Sequence, residues 1–159
     1  MNIFRAVILF MMLFLTGHGA WAAEQGKAPK AVFMPLATPF SEEENGKLAV
    51  GIAEGLSLRY QVLHGGEVDG VIKRIFDEEN KGLNCDLDVC YQKIARHFGV
   101  ENIVAFVVTP GKNSGMSLSL SVLNVMENKV VLKRQAVCKS ARFDNVLKAG
   151  IGLTTIPEP

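Results

Sequence analysis

Six consecutive apolar residues, Ile103 to Val108 (IVAFVV), constrain this chain more than any other stretch. A strand with no polar position has no face it can leave in water. It therefore predicts a central strand buried on both faces, in a layered fold with apolar material above and below the sheet. The next stretch behaves differently. Ser117 to Val122 (SLSLSV) alternates without error, which predicts a strand with one face on the core and one in water. Val130 to Val137 predicts a further strand carrying Lys133, Arg134 and Gln135, reached through a turn at Glu127-Asn128.

The first half has a different rhythm. Ala31 to Leu36 (AVFMPL) predicts a buried strand that ends near Pro35. Residues 38–46, with the carboxylate run Glu42-Glu43-Glu44, predict a loop from their turn residues and charges. From Lys47 the apolar period becomes 3.6, with Leu48, Ile52 and Leu56 on one stripe of an amphipathic helix. Tyr60 to Leu63 predicts a short strand stopping at Gly65-Gly66. Val68, Val71, Ile72, Ile75 and Phe76 mark a second helix. A third runs from about Asp86 to Phe98, with Asp86 as N-cap and Gly99 at the C-terminal turn. Ser140 caps a last helix that turns Phe143, Val146, Leu147 and Ile151 inward. The order β-α-β-α-α-β-β-β-α predicts an α+β fold, a mixed sheet of about five strands with helices mainly on one face.

The N-terminus carries an address. Arg5 precedes the apolar run Ala6 to Leu15, and Ala20-Trp21-Ala22 is a small-x-small cleavage pattern. The apolar run falls short of the roughly 20 residues that span a bilayer. Residues 1–22 thus predict a secretory signal peptide cut between Ala22 and Ala23, with a retained anchor as the competing reading. No stable membrane span is expected after processing, and the expected location is periplasmic or secreted. Cysteine is absent near the cleavage pattern, which speaks against a lipoprotein signal. Residues 23–30 read as a flexible arm, 31–152 as a single domain and 153–159 as a mobile tail.

Composition narrows the function. The chain has 159 residues, 48% hydrophobic and 21% charged, with a net charge of +1. That balance is globular, and it lacks the strong basic excess of a dedicated nucleic-acid binder. The charges are unevenly spread along the chain. Residues 41–90 hold 11 acids and 5 bases, whereas residues 91–148 hold 3 acids and 9 bases. Either folding mixes these charges, or it leaves a basic sheet edge that meets an acidic partner.

Three cysteines, Cys85, Cys90 and Cys138, would meet an oxidising compartment. In the chain-entropy model a Cys85–Cys90 link is worth roughly 2 kcal/mol and a link to Cys138 roughly 4. Proximity favours the short link, because those sulfurs need no distant element to meet. The Cys85–Cys90 pair is the expectation, with a link to Cys138 or free thiols as alternatives. A redox enzyme would use C-x-x-C, and the spacing here is C-x₄-C. A zinc site on Cys85, Cys90 and His97 lacks a clear fourth ligand. His64 and His97 have no nucleophile at a recognisable elbow, and Gly65-Gly66 and Gly111-x-x-x-Gly115 lack the Lys-Ser/Thr of a phosphate loop. No catalytic residue, cofactor or metal is expected.

Four stretches carry a family likeness. They are AVFMPLATPF, LAVGIAEGLSLRYQVLHGGEVDGVIK, CDLDVCYQKIARHFGVENIVAFVV and LSLSVLNVMENKVVLKRQAVC. Their order and spacing resemble the periplasmic domains related to the N-terminal domain of TolB and to the curli secretion lipoprotein CsgG. In those domains the hairpin is usually turned by an Asp-x-x-Thr-Gly-like sequence, and here the turn is VMENK, without the glycine. The resemblance implies a non-enzymatic envelope domain that binds an envelope or secretion-system protein. Neither a propeller nor pore-forming hairpins accompany it here. The competing functions are a small ligand-binding or sensor domain, which would need a deep apolar cavity between sheet and helices, and a hydrolase or thiol oxidoreductase, which would need a pocket of convergent titratable groups. Within the expected binding domain, Lys133 and Arg134 are the candidate partner-binding residues.

Overall fold

The computed structural model of the chain describes residues 28–80, 86–111 and 115–155. The elements are β1 (Lys30–Ala37), α1 (Glu42–Leu56), β2 (Gln61–Leu63), α2 (Gly66–Asn80), α3 (Leu87–Phe98), β3 (Asn102–Pro110), β4 (Met116–Asn124), β5 (Lys129–Cys138) and α4 (Phe143–Thr155). This is the expected α+β order. The five strands form one sheet in the order β2-β1-β3-β4-β5, with β1 parallel to β2 and β3, and β3, β4 and β5 antiparallel in turn.

The sheet buries both faces. Phe33, Val104, Phe106, Leu118 and Leu120 point to one side, where α1 and α4 add Leu48, Ile52, Leu56, Val146 and Leu153. Val32, Met34 and Ile103 point to the other, against Val68 and Ile72 of α2 and Ile94 and Ala95 of α3. The helices therefore divide two and two, where the sequence reading put them mainly on one face. Chain geometry explains the division. The crossover from β1 to β2 moves one way along the sheet, and the crossover from β2 to β3 moves back past β1. Right-handed crossovers in opposite directions put their helices on opposite faces.

Local chemistry sets the element ends. The segment read as a loop over 38–46 is helical from Glu42, because Ser41 and Glu44 form a reciprocal capping box. The Ser41 side chain accepts from the Glu44 backbone at 3.3 Å, and the Ser41 backbone donates to Glu44 Oε2 at 3.0 Å. The three glutamates then sit in the first turn, where the helix dipole favours them. Asp86 caps α3 by accepting from Asp88, and Gly99 ends it at φ 61°. In the β4–β5 turn, Asn128 takes φ 47°, a left-handed conformation asparagine tolerates, so no glycine is needed. The last helix reaches Thr155, with Leu153 and Thr154 buried.

Candidate functional site

Strand β5 closes one side of the sheet. It pairs with β4 alone, whereas the opposite edge is the three-residue β2. An edge strand keeps a row of backbone donors and acceptors that no neighbour uses. Along β5, Lys129, Lys133 and Arg134 supply charge, and no acid lies on the strand. Val130, Val131 and Val137 are exposed large apolar residues. A register shift between Val122 and Leu123 leaves Val131 as an extra residue in the ladder, a bulge of the kind that roughens an edge.

The two candidate residues do not share a surface. Lys133 lies opposite Ser121, and Arg134 lies opposite the buried Leu120. Successive strand side chains alternate, so Arg134 turns to the face that α4 covers, and its Nη2 is buried without a hydrogen-bond partner. Lys133 turns the other way, beside Ser117, Ser119 and Ser121 of β4 and Gln135 and Val137 of β5. On this second face α2 and α3 pack over β1 and β3. Helix α3 meets the hairpin near its turn, where Tyr91 and Gln92 lie beside Leu123 and Val125. Lys133, Gln135 and Val137 remain exposed. The period-two alternation that identified the strand already separated neighbours 133 and 134.

Folding mixes these charges in part. Helix α1 packs on β1 and β2 and against α4, which packs on β4 and β5, whereas α2 packs on β1 from the opposite face. Glu43 and Glu54 of α1 line the groove between α1 and α4, and Glu67 of α2 lines the groove between α2 and α3. Lys47, Lys73 and Arg74 are the bases on α1 and α2. Around β5 lie Lys129, Lys133, Arg134, Lys139, Arg142 and Lys148, with Asp144 as the acid on α4. Some charges are paired locally. Glu43 meets Lys47 at 2.7 Å, which holds the Glu43 carboxyl below its ordinary value and raises the Lys47 amine. Lys93 of α3 bonds Glu79. Where the starts of α1 and α2 come near each other, burial and then repulsion from Glu42 push the Asp69 carboxyl up, against a smaller opposing effect of His64.

The other sequence candidates separate. Cys90 is buried on the first turn of α3. Cys138 is a buried free thiol whose Sγ donates to the Ser140 carbonyl at 3.1 Å. Cys85, Ala22 and Ala23 lie outside the described residues. His97 lines an open groove of about 520 Å³ between α2 and α3 with Glu67 and Arg74. All three are solvent-exposed and no serine or cysteine lines the groove, so water screens any charge it could aim at a substrate. A second groove of about 360 Å³ lies between the end of α3 and the β4–β5 turn, lined by Arg96, Val100, Val125 and Met126 among others. Both open to solvent at the border of the second core, which supplies Val68 to the first and Ala95, Val100 and Val125 to the second. Among the described residues, no cluster of three His, Cys, Asp or Glu could hold a metal, and no helix is long and apolar enough to cross a membrane.

Against known proteins, no protein-family model matches the chain, and no curated protein does. Solved structures do resemble it. The lipoprotein GNA1162 from Neisseria meningitidis aligns at a TM-score of 0.49 and 18% identity, over 72% of this chain and 82% of that one. The C-terminal domain of LpoB from Salmonella enterica aligns at 0.47 and 9%, over 81% and 92%. TolB from Acinetobacter baumannii aligns at 0.42 and 11%, over 79% of this chain and 26% of TolB. At these scores and identities the likenesses fix neither family nor function.

Proposed function

We propose that this chain is an exported, non-catalytic protein-interaction domain that serves envelope assembly, secretion or appendage biogenesis. Its partner docks along the β5 edge. One observation carries the reading: β5 is a ten-residue edge with basic side chains, exposed valines and no acid. Backbone groups on such an edge give affinity through strand addition. The positive charge then favours an acidic segment and speeds its approach. The signal-like residues 1–22 and the resemblance to TolB-related domains support an envelope location. A Cys85–Cys90 link belongs to the same reading, with Cys138 as a free thiol.

We keep Lys133 as a proposed contact on the serine face of the hairpin and add Lys129, which pairs with Asn124 on the other face near the β4–β5 turn, in place of Arg134, whose Nη2 is buried. The test begins by identifying a partner by pull-down from envelope extracts and then follows association with purified proteins. Lys129→Glu with Lys133→Glu slows association about tenfold at low salt and flattens its salt dependence. An unchanged on-rate at low salt removes β5 as the docking site.

A further inference from the structure

All five strands begin or end in one row of the sheet. Lys30 pairs with Gln61, Ala31 with Asn102, Asn102 with Asn124 and Asn124 with Lys129. The α1–β2 turn, the entry of the chain at Pro29, the α3–β3 link and the β4–β5 turn therefore share this end. Two large apolar side chains stand out from it. Leu58 in the α1–β2 turn is 95% exposed, and Met126 in the β4–β5 turn is 76% exposed. Among the described residues, the other large apolar side chains that are exposed belong to helices or strands. Backbone bonds hold both tips in place. The Arg59 and Tyr60 amides donate to the Leu56 carbonyl at 2.8 and 2.9 Å. The Val125 amide donates to the Glu101 carbonyl at 2.8 Å, and the Glu127 amide to Asn124 Oδ1 at 2.9 Å.

The two tips are set apart across the width of the sheet, at roughly 5 Å per strand. A small pocket on a partner cannot cover both, whereas a plane can. Lys30, Arg59, Arg96 and Lys129 lie around them against Glu101 and Glu127, all exposed. Apolar side chains that enter the headgroup layer, among bases that attract anionic lipid, are what reversible membrane binding needs. The chain before Ala28 also joins the domain at this end, and it holds the apolar run Ala6 to Leu15. We infer that this end of the sheet rests on an anionic phospholipid bilayer, with Leu58 and Met126 among the headgroups and Lys30, Arg96 and Lys129 against them. The strands then lead away from the membrane, and the β5 edge stays open to its partner. The inference goes beyond the docking reading of β5 and does not depend on it.

The test uses the chain from Ala23, which holds every described element, so that the apolar run 6–15 cannot itself supply the binding. The protein is sedimented with vesicles of phosphatidylethanolamine and phosphatidylglycerol, or of phosphatidylcholine alone. The wild type sediments with the anionic vesicles at low salt, less as salt rises, and about tenfold more weakly with the neutral ones. Leu58→Ser with Met126→Ser lowers its partitioning about tenfold on the anionic vesicles. Lys30→Gln with Arg96→Gln lowers it by about the same factor and flattens the salt dependence. Val137→Ser is the control. Val137 is as exposed as Met126, at 76%, but pairs with Ser117 towards the other end of the sheet, so its replacement leaves binding unchanged. Circular dichroism and thermal melting establish that each protein is folded, and Leu58→Gln with Met126→Gln stands in if the serine pair is not.

Four results overturn the proposal. The wild type stays in solution with anionic vesicles at low salt, or the folded Leu58 and Met126 variant binds as tightly as the wild type. The neutralised protein binds anionic vesicles unchanged, or Val137→Ser weakens binding as much as the two turn substitutions do. A chain that ignores vesicles, yet loses an envelope protein with Leu58→Ser and Met126→Ser, gives these tips to a protein partner and refutes the lipid surface. The docking reading is judged separately, without vesicles, by Lys129→Glu with Lys133→Glu. A chain that binds no vesicles and still loses its partner through those two substitutions leaves β5 as a docking edge.

Discussion

Asp69 lies in the first turn of α2, where the helix dipole welcomes a negative charge, yet its carboxyl is raised above the ordinary 3.8. Partial burial is the main cause and Glu42 the next, so desolvation and like charge outweigh the favourable helix end. The sign for stability follows from proton binding. A carboxyl raised in the folded state binds its proton there more readily than in the unfolded chain. It therefore costs stability at neutral pH, and that cost disappears as pH falls through the folded value towards 3.8. Asp69→Asn is more stable than the wild type at about pH 7, and the gap narrows near pH 4. Denaturant melts at the two pH values check this. A gap independent of pH would mean that ionisation of Asp69 has no part in it.

Two glycines of α1 distinguish a helix from its packing. At Gly55, an added Cβ would lie 1.9 Å from Thr154 Oγ1 and 2.8 Å from Thr154 Cβ, so α1 and α4 approach too closely there for any side chain. Thr154 is buried and its hydroxyl donates to the Ile151 carbonyl at 2.7 Å, which leaves it little room to turn away. Gly46 lies on the same helix with nothing within 4 Å of such a Cβ. Alanine at either position gains up to about 1 kcal/mol of helix propensity. At Gly55 this is set against an overpacking cost of about 1–3 kcal/mol. Gly46→Ala therefore raises the melting temperature and Gly55→Ala lowers it. Equal shifts of the same sign would show that the α1–α4 contact yields freely.

At the scale of the molecule, two cores share one sheet, and strands β1 and β3 contribute to both. Such a domain can be stable without a cysteine scaffold, so a Cys85–Cys90 link would steady the entry to α3 and not the whole fold. Intact mass of exported material is expected to begin at Ala23. Alkylation without reductant is expected to label neither Cys85 nor Cys90, and to reach the buried Cys138 only on unfolding. A mass that retains residues 1–22 removes the processed form from the proposed function, and native labelling of both Cys85 and Cys90 removes the link.

Much of the architecture was legible because it is local. The unbroken run at 103–108, the alternation at 117–122 and the 3.6-residue periods declare strand or helix through which neighbours can be buried together. Asp86 and Gly99 end α3 through bonds within a few residues, and the Ser41–Glu44 box was readable by the same rule, though the surrounding charges and Gly46 suggested a loop. Alternation alone also separates Lys133 from Arg134. What local pattern could not decide is which strands become neighbours and which face each helix covers. Those depend on contacts between residues far apart in sequence, where crossover handedness and burial of both sides of β1 and β3 act together. The uneven charge along the chain was written in the sequence. That part of it was mixed again was decided only when α1, from the acidic half, and α4, from the basic half, packed together on one face of the sheet.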